Sequence, residues 1–135
     1  MESLIWSSLW NVVLLSALLA LQPFVRIFKL NAQYALSNFD ERVDEGVFAR
    51  RLAMVRNNQI EALVLWLPVV LFASVFANNI SHPHVSWIAS AFLISRFAYA
   101  VVSLAGVPVV RSIAWFVGFA AWGYLTWIVL GALGA

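Results

Sequence analysis

Long apolar runs alternate with short polar breaks along the chain, and this pattern predicts four membrane-spanning helices. The expected spans cover about residues 3–25, 48–77, 85–104 and 109–133. Each contains close to the roughly 20 apolar residues that an α-helix needs to cross the hydrocarbon core of a bilayer. The second span begins in a charged segment, so its first turns are expected to project into water.

The connections after the second and third spans are short, which makes consecutive helices antiparallel neighbours. Pro108 suits the first turn of the last helix, where its missing N–H has no helical partner to lose. The sequence therefore predicts an all-α integral membrane protein, an up-down four-helix bundle that forms one domain over residues 1–135.

Composition agrees with a membrane location, because 64% of the residues are hydrophobic and only 10% are charged. Soluble domains are about half apolar and a quarter charged. The chain has no cysteine, which excludes disulfides, thiolate metal sites and cysteine nucleophiles. His82 and His84 lack a third ligand, so no metal site is expected.

The basic residues indicate the topology, because six of the eight fall between Arg26 and Arg56. Under the positive-inside rule, the connection over about residues 26–47 is cytoplasmic and both termini lie outside. This clustering explains the positive charge without a nucleic-acid partner. The first apolar run lacks a preceding basic segment and is long enough to remain as a span rather than a signal peptide. We expect a multi-pass protein of the bacterial cytoplasmic membrane rather than of the endoplasmic reticulum.

Several polar residues that are energetically unfavourable in a membrane lie at the same depth, near the cytoplasmic ends of spans two, three and four. They are Asn58, Glu61, Arg96, Tyr99, Arg111 and Ser112. An arginine in mid-helix should face the bundle interior or a watery cavity, because lipid offers it no acceptor. Glu61 is the one carboxylate at this depth, so we expect Arg96 or Arg111 to neutralise it.

On physical grounds alone, two interpretations of these polar residues are possible. They could form a structural ion-pair network that does no chemistry. Alternatively, two arginines against one glutamate leave a positively charged cavity that favours an anionic ligand. Asn58 and Ser112 would add the neutral hydrogen-bonding groups that a polar-ligand site needs.

Aromatic and small residues add little to the site. Of the seven tryptophans, only Trp115 is expected near it, one turn after Arg111. The tryptophans are expected to lie mostly at the membrane interface or to face lipid. Gly118, Gly123 and Gly131 are expected to permit close helix packing.

Three motifs in these spans resemble the MAPEG family, the membrane-associated proteins in eicosanoid and glutathione metabolism. They are "RNNQIE" at the second span, "SRFAY" in the third and "VPVVRSIAWFVG" opening the fourth. The family includes microsomal glutathione transferases, leukotriene C4 synthase and prostaglandin E synthase. The resemblance implies a homotrimer that binds glutathione between subunits near the cytoplasmic face.

The resemblance also implies a role for each matching residue. Glutathione, the cosubstrate, would be bound by Arg51, Arg56, Asn58, Glu61, Arg96 and Tyr99. Arg111 matches the arginine that stabilises the glutathione thiolate, and Ser112 matches a serine beside the thiol. The thiolate would then attack a lipophilic electrophile dissolved in the membrane. The sequence departs from the family pattern at Met54, where members usually have Arg, and at Ser103, where they often have Tyr.

Three functions are compatible with these residues. The first is a glutathione transferase or peroxidase acting on lipophilic electrophiles. The second is a non-catalytic scaffold of the same family that binds lipid or a partner protein in the same cleft. The third is a small proton-coupled transporter, which fits less well because Glu61 lies near the end of its span rather than in mid-membrane.

Overall fold

Four long helices make up most of the described part of the chain, and each is long and apolar enough to cross a membrane. The structure is a computed structural model that describes residues 1–29, 44, 46–76, 80 and 83–134. The helices are α1 (Glu2–Lys29), α2 (Gly46–Val75), α3 (Val85–Ala105) and α4 (Pro108–Leu133). The prediction of an all-α, four-helix transmembrane bundle is confirmed.

The predicted cytoplasmic connection lies largely outside the described residues, as does His82. Helix α1 continues to Lys29, beyond the apolar run itself. Helix α2 begins at Gly46, whose backbone N–H donates to Asp44 Oδ1 at 3.0 Å. Asp44 also pairs with Arg50 at 2.8 Å. The carboxylate thus satisfies one of the N–H groups that a helix start leaves without a partner.

Helix α3 packs against each of the other three helices, as α2 also does. A tight turn joins α3 to α4. Gly106 ends α3 in the left-handed conformation, with φ of 85°, and its N–H donates to Ser103 O at 3.1 Å. The N–H of Val107 reaches back to Val102 O at 3.1 Å, which completes a Schellman motif. Pro108 then opens α4, as its fixed φ allows.

The half of the bundle that holds both chain termini has an apolar core, called here the apolar half. Its buried side chains include Leu4, Trp66, Val70, Ile88, Phe92, Leu125 and Val129. Trp66 is fully buried and stacks on Phe92, with ring centroids 3.8 Å apart. Its indole Nε1 donates to Ser8 Oγ at 3.0 Å. Trp66 is therefore an exception to the expectation that the tryptophans mostly lie at the interface or face lipid.

The opposite half, called here the polar half, combines a smaller apolar cluster with buried polar side chains. The apolar cluster is formed by Leu18, Leu52, Val55, Tyr99, Ala100 and Ala114. The buried polar side chains beside it include Asn11, Gln59, Arg96 and Ser103. The glycines differ in role: a Cβ on Gly118 would lie 2.8 Å from Ser95 Oγ, whereas Gly123 and Gly131 have open space. Close packing within one chain is therefore found at Gly118.

Candidate functional site

A cleft opens between α2, α3 and α4, with about 460 Å³ of empty space that includes its open mouth. Its lining residues are Asn58, Glu61, Ala62, Leu65, Phe92, Arg96, Trp115, Gly118, Phe119 and Trp122. One end carries the polar groups and the other is aromatic. Three residues named from the sequence as ligand contacts, Asn58, Glu61 and Arg96, meet here. The cleft can therefore take a molecule that is charged at one end and apolar at the other.

Arg96 is the buried cation of this cleft, with only 3% of its surface exposed. Its Nε donates to Gln59 Oε1 at 3.0 Å, and its Nη2 donates to Asn58 Oδ1 at 2.5 Å. The guanidinium carbon lies 4.8 Å from the ring centre of Tyr99, in cation–π geometry. The prediction that Arg96 faces the bundle interior is confirmed by this burial.

A second layer of hydrogen bonds lies behind Arg96. Gln59 Nε2 donates to Asn11 Oδ1 at 3.0 Å and to the backbone oxygen of Asn11 at 3.2 Å. Asn11 Nδ2 donates to the backbone oxygen of Ser7 at 2.8 Å. Through Asn11, helix α1 is coupled to a cleft that it does not line.

Glu61 lines the same cleft as Arg96, yet the two side chains do not form an ion pair. Within the described ranges, the one ion pair joins Asp44 to Arg50. Glu61 is exposed, and its charge acts on Arg96 only through space. The expectation that Arg96 or Arg111 neutralises Glu61 by direct contact is therefore not met among these residues. The amide oxygens of Gln59 and Asn58 accept from Nε and Nη2 of Arg96 instead.

The aromatic wall of the cleft comes from one face of α4. Trp115 stacks on Phe119 with ring centroids 5.2 Å apart and an angle of 7° between the planes. Phe119 contacts Trp122 at 5.2 Å, and Trp122 Nε1 donates to the backbone oxygen of Leu65 at 3.0 Å. Trp115 lies where its spacing predicts. Trp122 also lines the cleft, which corrects the expectation that Trp115 is the one tryptophan near the site.

Arg111 and Ser112 lie outside the cleft lining, one turn closer to the start of α4 than Trp115. Arg111 Nη1 donates to Met54 Sδ at 3.4 Å, which ties α4 to α2. Ser112 Oγ donates to the backbone oxygen of Pro108 at 3.1 Å. Met54 itself precedes Asn58 by one turn of α2. This contact ties Arg111 to the turn of α2 that precedes Asn58.

Arg51 and Arg56 have partners away from the cleft. Arg51 Nη1 donates to the backbone oxygen of Leu104 at 3.3 Å, and its guanidinium lies against Gly106. Arg51 thus satisfies a carbonyl group at the end of α3, where a cation is favourable. Arg56 donates to Gln22 of α1 and to Asn57 Oδ1. Their contact with glutathione stays a prediction.

Two further positions bear on the family pattern. Tyr99 is buried and serves as the aromatic face beneath Arg96. Ser103, one turn further along α3, is also buried, and its Oγ is the one fully buried side-chain polar atom without a hydrogen-bond partner among the described residues. Leaving a buried hydroxyl unpaired costs about 1–3 kcal/mol. No cluster of three possible metal ligands occurs in the described part of the chain.

Sequence reasoning missed the role of Asn11 and left that of Gln59 open. Asn11 stands alone in the middle of the first apolar run, and Gln59 stands between two predicted site residues. An intramembrane polar residue is by default a candidate functional residue, so Asn11 carried a signal. Its partner could not be read from the sequence, because the two residues lie 48 positions apart.

Comparison with known proteins assigns the cleft to a region that a protein family shares. The family model for the MAPEG family matches residues 4–131, a range that includes all the cleft-lining residues. A search of curated proteins finds no match to the chain.

Proposed function

The chain belongs to the MAPEG family, and from that premise we propose that it is a glutathione-dependent membrane enzyme. It would act as a transferase or peroxidase that directs the thiol of glutathione against lipophilic electrophiles. The observation that carries this proposal is the cleft, which combines Asn58, Glu61 and Arg96 at one end with aromatic side chains at the other. Glutathione and an apolar acceptor need those two environments side by side.

The polar end suits the charged groups of glutathione, which has two carboxylates and one ammonium group. Arg96 can donate to a carboxylate, and Glu61 can accept from the ammonium group. Asn58 supplies an amide to the peptide backbone. Hydrogen bonds in which one partner is charged contribute about 1.5–3 kcal/mol each, so these contacts would supply most of the affinity.

Arg111 would act on the sulfur. A guanidinium close to a thiol in a site of low dielectric favours the charged form and lowers the pKa of the thiol. The thiol proton leaves to water, and the thiolate sulfur bonds to the electrophilic carbon of the acceptor, whose leaving group departs with the bonding electrons. Because Arg111 contacts Met54, the thiol would lie toward Met54. The Ser112 hydroxyl would turn away from the backbone oxygen of Pro108 to donate to the same sulfur.

The assembly and orientation are part of the proposal. Arg111, Arg51 and Arg56 all lie at the end of the bundle opposite to the chain termini. We place this end at the cytoplasmic face, because basic residues favour that side. A homotrimer would bring a second subunit to the open side of the cleft, while the remaining helix faces contact lipid.

One observation favours the non-catalytic scaffold as a second candidate. In the described residues, the nearest polar partner of Arg111 is the thioether of Met54, and the guanidinium does not line the cleft. A scaffold that binds a lipid in the cleft would need the aromatic wall but no thiolate stabiliser. Binding of glutathione without formation of its thiolate would favour this second function.

Titration of the detergent-solubilised protein with glutathione tests the proposal directly. The ultraviolet absorbance of the thiolate reports both binding and activation. We expect a saturable thiolate signal at neutral pH, followed by its loss when a chlorinated aromatic acceptor is added. No binding at all would contradict the glutathione-dependent function.

The proposed orientation has its own test. Single cysteines can replace exposed residues at opposite ends of the bundle, Asp44 and Ser86, because the chain has no native cysteine. In intact cells, a membrane-impermeant maleimide should label the Ser86→Cys variant and leave Asp44→Cys unlabelled. Labelling of Asp44→Cys from outside would reverse the orientation.

A further inference from the structure

The hydrogen bonds behind the cleft run in one direction, because a guanidinium can only donate. Arg96 Nε donates to Gln59 Oε1, so the amide nitrogen of Gln59 must point away from Arg96. That nitrogen donates to Asn11 Oδ1, and Asn11 Nδ2 then donates to the backbone oxygen of Ser7. The Arg96 guanidinium, at one end of this series of hydrogen bonds, thus fixes the orientation of both amides.

All three side chains of this network are buried. The exposed fractions of Asn11, Gln59 and Arg96 are 0%, 1% and 3%. At membrane depth an unsatisfied polar group is costly, so each amide is held in the one orientation that satisfies its neighbours. A flexible side chain such as Arg96 thereby acquires a defined position.

The network leaves part of Arg96 available. Its Nη1 forms no hydrogen bond with a described residue, and among those residues the fully buried polar atom without a partner is Ser103 Oγ. Arg96 itself lines the cleft. Glu61 lines the same cleft, also without an ion-pair partner in the described ranges. A cation and an anion thus face one space without neutralising each other.

We propose that Gln59 and Asn11 are positioning residues that hold Arg96 apart from Glu61. The cleft then presents a separate cation and a separate anion to a ligand that carries both charges, such as the free amino-acid end of a small peptide. Identification of that ligand as glutathione rests on the proposed function. The positioning itself rests on the hydrogen bonds alone.

The physical reason is competition for the guanidinium. Without the Gln59 acceptor, the Glu61 carboxylate is the strongest acceptor on the cleft wall, and a charge-assisted pair would form. That pair would satisfy both groups before the ligand arrives. A zwitterionic ligand would then have to break it, which costs affinity.

The principal test is the Gln59→Leu variant, which removes the acceptor while keeping a similar volume. The reaction of Glu61 with a hydrophobic carbodiimide, followed by mass spectrometry, reports whether the carboxylate is paired. Carbodiimides attack the protonated carboxyl group, and pairing with a cation favours the ionised form. We expect about tenfold slower labelling of Glu61 in the variant. Glu2, at the opposite end of the bundle, is the internal reference.

Two variants of Asn11 keep the test decisive if Gln59→Leu does not fold. Asn11→Asp retains the acceptor for Gln59 and should label Glu61 at the wild-type rate. Asn11→Leu removes that acceptor and should slow the labelling. Ser8→Ala is the matched control, because Ser8 is a buried polar residue of α1 that bonds Trp66 and does not contact the network.

Glutathione binding adds a double-mutant cycle with Glu61→Gln. In the wild-type background this change should weaken binding about tenfold, whereas in the Gln59→Leu background it should have almost no further effect. Additive effects of Glu61→Gln and Gln59→Leu on glutathione affinity would overturn the positioning role. Equal labelling rates of Glu61 in the wild type and in Gln59→Leu would also overturn it. A wild-type protein that binds no glutathione would overturn the proposed function, and the labelling rates would still decide the positioning.

Discussion

The same four helices form two halves that differ in what holds them together. In the apolar half, side chains such as Trp66, Ile88 and Leu125 pack against one another in an apolar core. In the polar half, Asn11, Gln59 and Arg96 take core positions and form directed hydrogen bonds. Polar contacts place a group at a defined distance, whereas apolar packing fixes only shape and volume.

The comparison separates stability from recognition. Association of helices in lipid is driven by packing and by interhelical hydrogen bonds, because lipid tails are as apolar as the side chains. The apolar half supplies the packing. The polar half supplies bonds between helices and, at the cleft, groups that a ligand can reach. Substitutions in the two halves should therefore have different effects, and the predictions below begin with the largest.

Leu125→Ala should destabilise the fold most. Leu125 is fully buried in the apolar half, and truncation of such a leucine leaves a cavity that costs about 2–5 kcal/mol. Thermal unfolding in detergent, followed by circular dichroism, measures the loss. Leu130→Ala is the matched control, because Leu130 is on the same helix and 61% exposed. Equal melting temperatures for the two variants would contradict the assignment of Leu125 to a core.

Arg111→Ala should have the largest effect on chemistry. Lowering the pKa of a free thiol from about 8.5 to about 6.5 corresponds to about 2.7 kcal/mol, and one close guanidinium can supply this where water is scarce. The variant should lose the thiolate absorbance of bound glutathione and about a hundredfold in turnover. Its affinity for glutathione should fall only moderately.

Arg111→Lys separates the two roles that Arg111 could have. As a thiolate stabiliser, the lysine should retain part of the signal, since the charge remains while the planar fork is lost. If Arg111 only anchors α4 at lipid phosphates, Arg111→Lys should behave like the wild type. Arg111→Ala should then change membrane insertion without changing the thiolate signal of glutathione.

Glu61→Gln should weaken glutathione binding about tenfold, which is about 1.4 kcal/mol, and should leave the stability unchanged. The stability is unaffected because Glu61 is exposed and unpaired within the described ranges. Glu61→Leu should fold as well for the same reason, whereas a carboxylate in a buried ion pair would cost about 3–5 kcal/mol on removal. Isothermal titration calorimetry and thermal unfolding measure the two effects. Glu2→Gln, which should change neither, is the control.

Arg51→Met should have the smallest effect. It removes the hydrogen bond to the backbone oxygen of Leu104 and should lower the unfolding free energy by about 0.5–1.5 kcal/mol. Glutathione affinity should stay at the wild-type value if Arg51 only supports the end of α3. A tenfold loss of affinity would instead support its predicted contact with glutathione. The neighbouring Arg50→Met, which breaks only the pair with Asp44, is the control.

The four helices could be predicted from the sequence because their signal is local. A run of about 20 apolar residues has few stable alternatives in a membrane, where every backbone N–H and C=O must be satisfied within its own helix. The turn at Gly106 and Pro108 is equally local, since one residue supplies the left-handed conformation and the other a fixed φ. Such features depend on neighbours in sequence.

The depth of the polar residues was also determined by sequence. Their positions within each span brought Asn58, Glu61 and Arg96 to one level, and the structure places all three on one cleft. The partner of each polar side chain was not determined in this way. Charge alone suggested an ion pair between Arg96 and Glu61, but the buried amides take the guanidinium instead.

Only the tertiary structure decided which faces of the helices meet. The rotation of each helix about its axis puts Asn11 against Gln59, buries Trp66 on Phe92 and turns Arg51 toward the end of α3. A membrane helix that is apolar on all sides carries almost no periodic signal for this rotation, because every face is compatible with lipid. Hydropathy therefore determined how many helices cross the membrane and how deep each residue lies. Side-chain packing and directed hydrogen bonds determined which residues share the cleft.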